Sequence, residues 1–305
     1  MNTDHHFGTV VLLGPPNAGK STLLNKYLGQ KIAIVTPKPQ TTRNRISGIL
    51  SLPDAQVVFL DTPGVQALKG GMNRSMLQCA WSCAASADVG LVLLDGELLV
   101  RRPKALEDEQ ARLIKWVRET RKPIFIAVNK TDLIKDKNAL LPLFEHLSKI
   151  RPQTEIFPVS AKTGAGLDKL LTEIKKALPL GPAMFPEDQV STVPLRFMAA
   201  EIIREKLFLS LRRELPYSVA VEIESWEEDP GEGLTRIDAL IYVAKDTHKA
   251  MVIGKGGKNL KDVGREARKE IKELIEAKVF LRLWVKVRKR WTEDPSFLLS
   301  LGLGT

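Results

Sequence analysis

Short apolar runs alternate with amphipathic stretches through the first half of the chain. Phe7–Leu13, Val57–Leu60, Gly90–Leu94, Pro123–Val128 and Ile156–Val159 are mainly apolar and of strand length. Between them, apolar residues recur at helical spacing in a helix from about Lys20 and over Asn73–Ala87, Lys104–Thr120 and Leu167–Leu178. Strands alternating with helices predict βαβ units and a mostly parallel sheet with helices on both faces. The pattern then stops. Residues 179–194 contain four prolines in 16 positions, which denies helix and central strand and predicts a linker.

A different order follows. A long amphipathic helix is expected over Arg196–Leu215 and an alternating strand over Ser218–Ser225. A second strand spans Thr235–Val243, followed by a short helix, a glycine turn at 254–257, a basic helix to about Ala277 and a strand over Val279–Val287. The expected division is an α/β domain over 1–178, a linker over 179–194, a smaller α+β domain over 195–291 and a tail over 292–305.

The chain has 305 residues, 44% hydrophobic and 27% charged, an ordinary globular composition that argues against disorder and collagen. No apolar stretch approaches the roughly 20 residues of a membrane-spanning helix. Met1–Phe7 lacks the basic and apolar regions of a secretory leader. Cys79 and Cys83 stand at i, i+4 in one predicted helix, a poor disulfide geometry, and are read as reduced thiols in a cytoplasmic protein. His5, His6, His146 and His248 are scattered and suggest no metal cluster. With no heptads, a monomer is expected.

Net charge is +10 and unevenly spread. Residues 1–178 are net +9, 179–244 net −6, 245–291 net +9 and the last 14 net −2. The local basic block in the second half points to an anionic ligand at one site.

Four short motifs carry chemistry in the first half. Gly14-Pro15-Pro16-Asn17-Ala18-Gly19-Lys20-Ser21, followed by Thr22, fits GxxxxGK[ST] between a strand and a helix. Its backbone N–H groups can wrap a phosphate, Lys20 can reach the β and γ phosphates, and the Ser21 hydroxyl can ligate Mg²⁺. Asp61-Thr62-Pro63-Gly64 closes a strand, where Asp61 can hold Mg²⁺ through water and the Gly64 N–H can meet a γ-phosphate. Asn129-Lys130-Thr131-Asp132 offers a carboxylate for guanine N1–H and the 2-amino group, a pattern adenine lacks. Asn129 would brace loop and base, and the Lys130 stem would lie along the ring. In Ser160-Ala161-Lys162, the Ala161 N–H could donate to guanine O6. Asp88 and Asp95 lie near a strand end outside these motifs.

In this order and placement the four motifs resemble the G1, G3, G4 and G5 boxes of Ras-like P-loop GTPases. The resemblance implies a Mg²⁺-binding threonine on a loop between Tyr27 and Ile46, Thr42 in preference to Thr41. Val65 stands where Ras-type enzymes place a water-orienting glutamine, and Gln66 is one place late. This resembles the hydrophobic-substituted GTPases, in which an asparagine at the position of Asn17 helps to hold K⁺. The residues expected to act on GTP are therefore Lys20, Thr42, Gly64 and Asn17, with Mg²⁺ on Ser21, Thr42 and Asp61.

In the second half, Gly254-Lys255-Gly256-Gly257-Lys258 forms a GxxG turn before a basic helix. Glycine lets a nucleic-acid backbone come close, and Lys255, Lys258, Lys261 and Arg265 are candidate phosphate contacts. The stripe Val252, Ile253, Leu260 and Val263 reads mainly as core. The order α-β-β-α-α-β resembles the type II KH fold. Trp284 and Trp291 flank a basic run; strand packing is favoured over RNA stacking for both.

A Ras-like GTPase joined to a type II KH domain resembles the Era family almost end to end, including Phe185-Pro186-Glu187-Asp188, Arg196–Leu207 and Glu214–Val219. The resemblance implies binding of 16S rRNA near its 3′ end, a role in 30S subunit assembly and peripheral contact with the inner membrane. Two rivals are an RNA-binding assembly factor stapled by nucleotide and a membrane-surface GTPase; a metabolic P-loop kinase is more distant.

Overall fold

The structure is a computed structural model that describes residues 5–66 and 70–303. The outermost residues of the expected first domain and tail, 1–4 and 304–305, lie outside the described residues. The chain separates into two compact units. The first comprises residues 1–33, 42–69 and 76–192, and the second residues 34–41, 70–75 and 193–305.

The elements of the first half run β1 (His6–Leu13), α1 (Lys20–Leu28), β2 (Ile46–Leu52), β3 (Ala55–Asp61), α2 (Gly71–Ser86), β4 (Val89–Asp95), α3 (Gly96–Arg101), α4 (Ala105–Glu119), β5 (Ile124–Asn129), α5 (Leu141–Ile150), β6 (Glu155–Pro158) and α6 (Leu167–Ala177). Six strands form one sheet in the order β2-β3-β1-β4-β5-β6. All neighbours are parallel except β2 and β3. The apolar runs are buried on both faces, which is why they read as continuous rather than alternating. Strand β1 lies at the centre with later strands on both sides, so the loop after it opens at the switch point where an α/β sheet binds ligands.

The antiparallel edge strand β2 is an addition to the expected sheet. Gly48 interrupts its apolar pattern, and a Cβ there would meet Leu24 Cδ1 and Leu28 Cδ1 at 2.7 Å. Close packing of α1 against the strand therefore requires the residue that hides the strand from pattern reading. The expected linker is also different. Gln56 donates to Phe185 O (2.8 Å) and accepts from the N–H groups of Met184 and Phe185. Ile49 N–H donates to Val190 O (2.9 Å), so residues through Thr192 are fastened to the first unit rather than spanning solvent.

The second unit contains α7 (Leu195–Ser210), β7 (Val219–Asp229), β8 (Leu234–Val243), α8 (Asp246–Ile253), α9 (Lys258–Ile275), β9 (Lys278–Val287) and α10 (Pro295–Ser300). Helix α7 stops five residues before the expected end, because Leu211 is extended, Arg213 has φ 55° and Pro216 follows. The sheet order is β7-β8-β9, antiparallel then parallel. Its core joins Ile203, Leu207 and Phe208 of α7 to Ile237, Ala239 and Ile241 of β8 and to Val263, Ala267 and Ile271 of α9. The last three recur every four residues and form the single apolar stripe of an otherwise charged helix.

Candidate nucleotide and nucleic-acid sites

Strand β1 delivers the chain into the loop Gly14–Gly19, and α1 begins at Lys20. Gly14, Asn17 and Gly19 all have positive φ. A Cβ on Gly14 would lie 2.2 Å from Leu93 O, and one on Gly19 would lie 2.2 Å from Asn129 Nδ2. These glycines are needed for close backbone approach as well as for the left-handed turn. Gly64 packs against the loop, its Cβ position 2.6 Å from Pro16 N, and Val65 N–H donates to Gly14 O (3.0 Å).

Lys20 is buried and folds back to donate to the carbonyls of Gly14 (3.2 Å) and Pro15 (3.0 Å). Burial lowers its pKa to about 8, opposed by the charge of Asp61. Asp61 is fully buried at the end of β3, and burial raises its pKa to about 6 against the pull of Lys20, Ser21 and Thr42. Ser21 Oγ–H donates to Asp61 Oδ2 (2.5 Å) and lies 2.9 Å from Thr42 Oγ1, which is 3.5 Å from the same carboxylate oxygen. Asp61 Oδ1 is buried with no hydrogen-bond partner. An orphaned buried carboxylate oxygen beside two converging hydroxyls is a hard-oxygen set that fits Mg²⁺. Thr41 is elsewhere: its hydroxyl donates to Lys38 O (2.8 Å) and meets Thr36 Oγ1 (2.7 Å). Thr62 Oγ1–H is spent on Leu12 O (2.7 Å) and holds the start of the Pro63-Gly64 turn.

Asn129 ties the motifs together. Its Nδ2 donates to Ala18 O (2.7 Å) and its Oδ1 accepts from Ala161 N–H (2.8 Å). The Ala161 N–H, expected to face guanine O6, is thus directed at Asn129, because the short Ser160–Lys162 turn buries it beneath that amide. Asp132 is exposed and accepts from Ser160 Oγ–H (2.7 Å), leaving carboxylate capacity for a base. Thr131 is buried, with its hydroxyl donating to Val159 O (2.9 Å), and Lys162 is exposed. Lys130 adopts φ 64° and its ammonium meets Asp95 Oδ2 (2.5 Å). Asp95 is the residue that motif reading missed. It pairs in register with Asn129 at the ends of β4 and β5, and also caps α3 through Leu98 N–H. Its only signal in the sequence was a carboxylate at a strand end. Asp88 is structural, accepting from the Thr9 N–H (2.7 Å) and hydroxyl (2.8 Å). Val65 is buried in the core and Gln66 is exposed.

In the second unit, Gly254, Gly256 and Gly257 all have positive φ. A Cβ on Gly254 would meet Asn259 Cβ at 2.8 Å, whereas nothing lies within 4 Å of those on Gly256 and Gly257. The turn is therefore tight on its inner side and open on its outer side. Asn259 Nδ2 donates to Val252 O (2.9 Å) and closes the turn. A groove of about 490 Å³ follows, lined by Gly257, Leu260, Lys261, Gly264, Arg265 and Arg268, with Leu281 and Leu283 of β9 opposite. Lys255 and Lys258 are exposed beside it. Val252 and Val263 are core, but Leu260 lines the groove. Arg265 is tied to Asp262 (3.3 Å) and Glu266 (3.2 Å), while Arg268, missed by motif reading, lies seven residues from Lys261 on the same helical face. Trp291 is fully buried, but Trp284 is exposed, which corrects the expected strand packing of Trp284.

The same unit includes residues 34–41. Val35 N–H donates to Glu205 Oε1 (2.9 Å), Lys38 Nζ donates to Leu211 O (2.6 Å) and Arg204 Nη2 donates to Thr41 O (2.5 Å). Arg204 also pairs with Glu201, and Glu201, Arg204 and Glu205 are all buried in α7.

Known proteins match both halves of the chain. The sequence model of the family described as "50S ribosome-binding GTPase" matches residues 9–130, and that of the KH domain matches residues 214–292. The chain is 58% identical over 301 residues to "GTPase Era" of Nitratidesulfovibrio vulgaris strain Miyazaki F, covering 99% of this chain and 98% of that protein. It is 45% identical to "GTPase Era" of Geobacter metallireducens over 295 residues, 97% of each. A solved structure of Era with MgGDPNP and nucleotides 1506–1542 of 16S ribosomal RNA superposes with TM-score 0.93 at 36% identity, covering 99% of this chain and all of that one. A variant of Aquifex aeolicus Era bound to GDP and aluminium fluoride gives TM-score 0.89 at 37% identity, covering 98% and 100%.

Proposed function

Because the chain belongs to the Era family of GTPases, we propose that it is a Mg²⁺-dependent GTP-hydrolysing switch that binds 16S rRNA near its 3′ end and acts in cytoplasmic 30S subunit assembly. The observation that carries the nucleotide half is the convergence of Ser21, Thr42 and the orphaned Asp61 oxygen beside Lys20. Mg²⁺ held there by Ser21 and Thr42, with Asp61 behind it, supplies charge to the β and γ phosphates. The N–H groups of Gly14–Gly19 cradle the phosphates, Lys20 turns from its two carbonyls to them, and Gly64 presents an N–H to the γ-phosphate. Asn129 holds the phosphate loop and the Ser160–Lys162 turn at one spacing, so Asp132 reads guanine from a braced position. Val65 is buried and cannot orient the attacking water, which supports K⁺ held beside Asn17 as the added positive charge.

For RNA, the open turn at Gly256–Gly257 and the cationic groove of α9 suit a single strand whose phosphates pass close to the backbone. Linkage between the sites is supported by the chain itself. The boundary between units falls between Thr41 and Thr42, so the residue beside Ser21 directly follows a segment held by Arg204, Glu205 and the carbonyl of Leu211. Nucleotide that draws Thr42 to Mg²⁺ pulls on that segment. Contact with the inner membrane rests on the family alone; binding to anionic vesicles tests it.

The deciding experiment titrates a 16S 3′-end oligonucleotide with protein loaded with GTP analogue or GDP at two salt concentrations. Different affinities in the two states establish the switch and its sign. Equal affinities mean that the second unit reads RNA independently and that nucleotide controls some other contact with the ribosome.

A further inference from the structure

We propose that the outer face of β9 is a second single-strand RNA platform, on which Phe280 and Trp284 stack bases of a strand that continues beyond the groove of α9. The proposal rests on the RNA reading of that groove. Side chains of a strand alternate between faces. Leu281 and Leu283 of β9 line the groove, so the alternate residues Phe280, Arg282 and Trp284 project from the other face. Phe280 is 48% exposed and Trp284 57%, unusual values for residues of that size in a strand. Their positions are about 13 Å apart along the strand. Between them Arg282 is gripped by both oxygens of Asp238 and lies 6.0 Å from the Phe280 ring centre, so its planar group is fixed beside the ring. Lys278 and Lys286 stand exposed at the ends of the ladder. Rings alternating with cations on one strand face form a stacking surface for nucleobases with phosphate contacts alongside.

Two further observations select RNA as the occupant. The first is continuity. In the order β7-β8-β9, β9 is an edge strand, and the same strand that walls the groove carries the ladder, so a nucleic acid leaving the groove needs only to turn over that edge. The second is charge. The opposite edge, β7, presents Glu222, Glu224 and Glu227, which repel phosphate and confine the path to the β9 side. The remaining end of this face is already covered: Tyr242 packs on Phe297 of α10 at 4.8 Å, and Trp291 packs on the same ring at 6.2 Å. The C-terminal helix shields one end of the sheet and leaves the Phe280–Trp284 end open.

The test uses the full chain and two RNAs from the 16S 3′ end, one of about five nucleotides to fill the groove and one extended by about six at each end. Wild-type protein should bind the longer RNA more tightly. Phe280→Ser with Trp284→Ser should lose at least about 5-fold in affinity per ring for the longer RNA and nothing for the shorter. Trp284→Phe should restore most of the loss at that position. Both rings are solvent-exposed, and thermal melting checks that the variants fold. Gly256→Asp should weaken both RNAs, which separates groove from ladder. Equal binding of the longer RNA by wild type and double variant overturns the ladder alone. Failure of wild type to bind either RNA overturns the ladder and the RNA reading together.

Discussion

The nucleotide cradle and the RNA groove handle polar groups in opposite ways. In the cradle, Lys20, Thr42, Asp61 and Asn129 are buried and spend their hydrogen bonds on one another or on the loop. The groove instead offers exposed cations on one helix and a glycine turn with open space above it. A site that performs chemistry needs fixed dipoles in a dry setting, where each is worth more. A site that grips a flexible polyanion needs reach, and gains affinity by releasing counterions. Damage should therefore be steep and local in the first and graded and salt-dependent in the second.

The largest effect should come from Lys20→Ala, which removes the cation from the cradle. GTP turnover should fall by roughly 10³-fold, while RNA binding without nucleotide stays within about 2-fold of wild type if the groove is independent. Turnover assays and anisotropy check both, and loss of nucleotide-free RNA binding would break the comparison. Asp61→Asn follows, with Mg²⁺ affinity expected to fall about 10- to 100-fold. The same variant tests the buried charge. Burial raises the Asp61 pKa from 3.8 to about 6, so the metal-free folded protein holds this proton more tightly than the unfolded chain. That contribution favours folding at low pH and is lost as pH rises from about 4 to about 6. Denaturant melts should therefore show that metal-free stability falls over that range in wild type more than in Asp61→Asn.

Gly256→Asp places a negative charge and a Cβ at φ 59° above the open turn. RNA affinity should fall roughly 10- to 100-fold, with GTP affinity unchanged. The smallest effect is expected from Arg268→Ala, a loss of a few-fold that lowers the slope of log affinity against log salt by about 1. An unchanged slope would mean that Arg268 lines the groove without touching phosphate.

The two sites also differ in how much of each is legible in the sequence. Lys20, Asp61 and Asn129 lie in contiguous motifs at strand ends, where a ligand imposes residue type and spacing together, whereas Thr42, on the loop before β2, was legible only through the family resemblance. Asp95 escaped because its role is set by lateral register, Asp95 opposite Asn129, which pattern reading cannot supply. In the groove the glycines were legible, but Arg268 and Leu283 were not, because a wall of helix and strand is assembled by packing. Glu201, Arg204 and Glu205 read as the polar face of an amphipathic helix. Their burial and their contacts with Val35 and Thr41 depend on a segment more than 150 positions earlier.

The amino-acid order alone determined the alternation of strand and helix, the GxxxxGKS, DxxG, NKxD and GxxG signatures and the basic block of 245–291. These are local properties, fixed by hydrophobic period, glycine conformation and charge. Tertiary structure decided which threonine faces Ser21, where the Ala161 N–H points, that Trp291 is sealed while Trp284 is bare, and that residues 179–192 are fastened down. Each of those outcomes depends on which distant segment arrives to bury or bond a group. Burial and partnership belong to pairs of segments brought together by the fold, and no single stretch of chain encodes them.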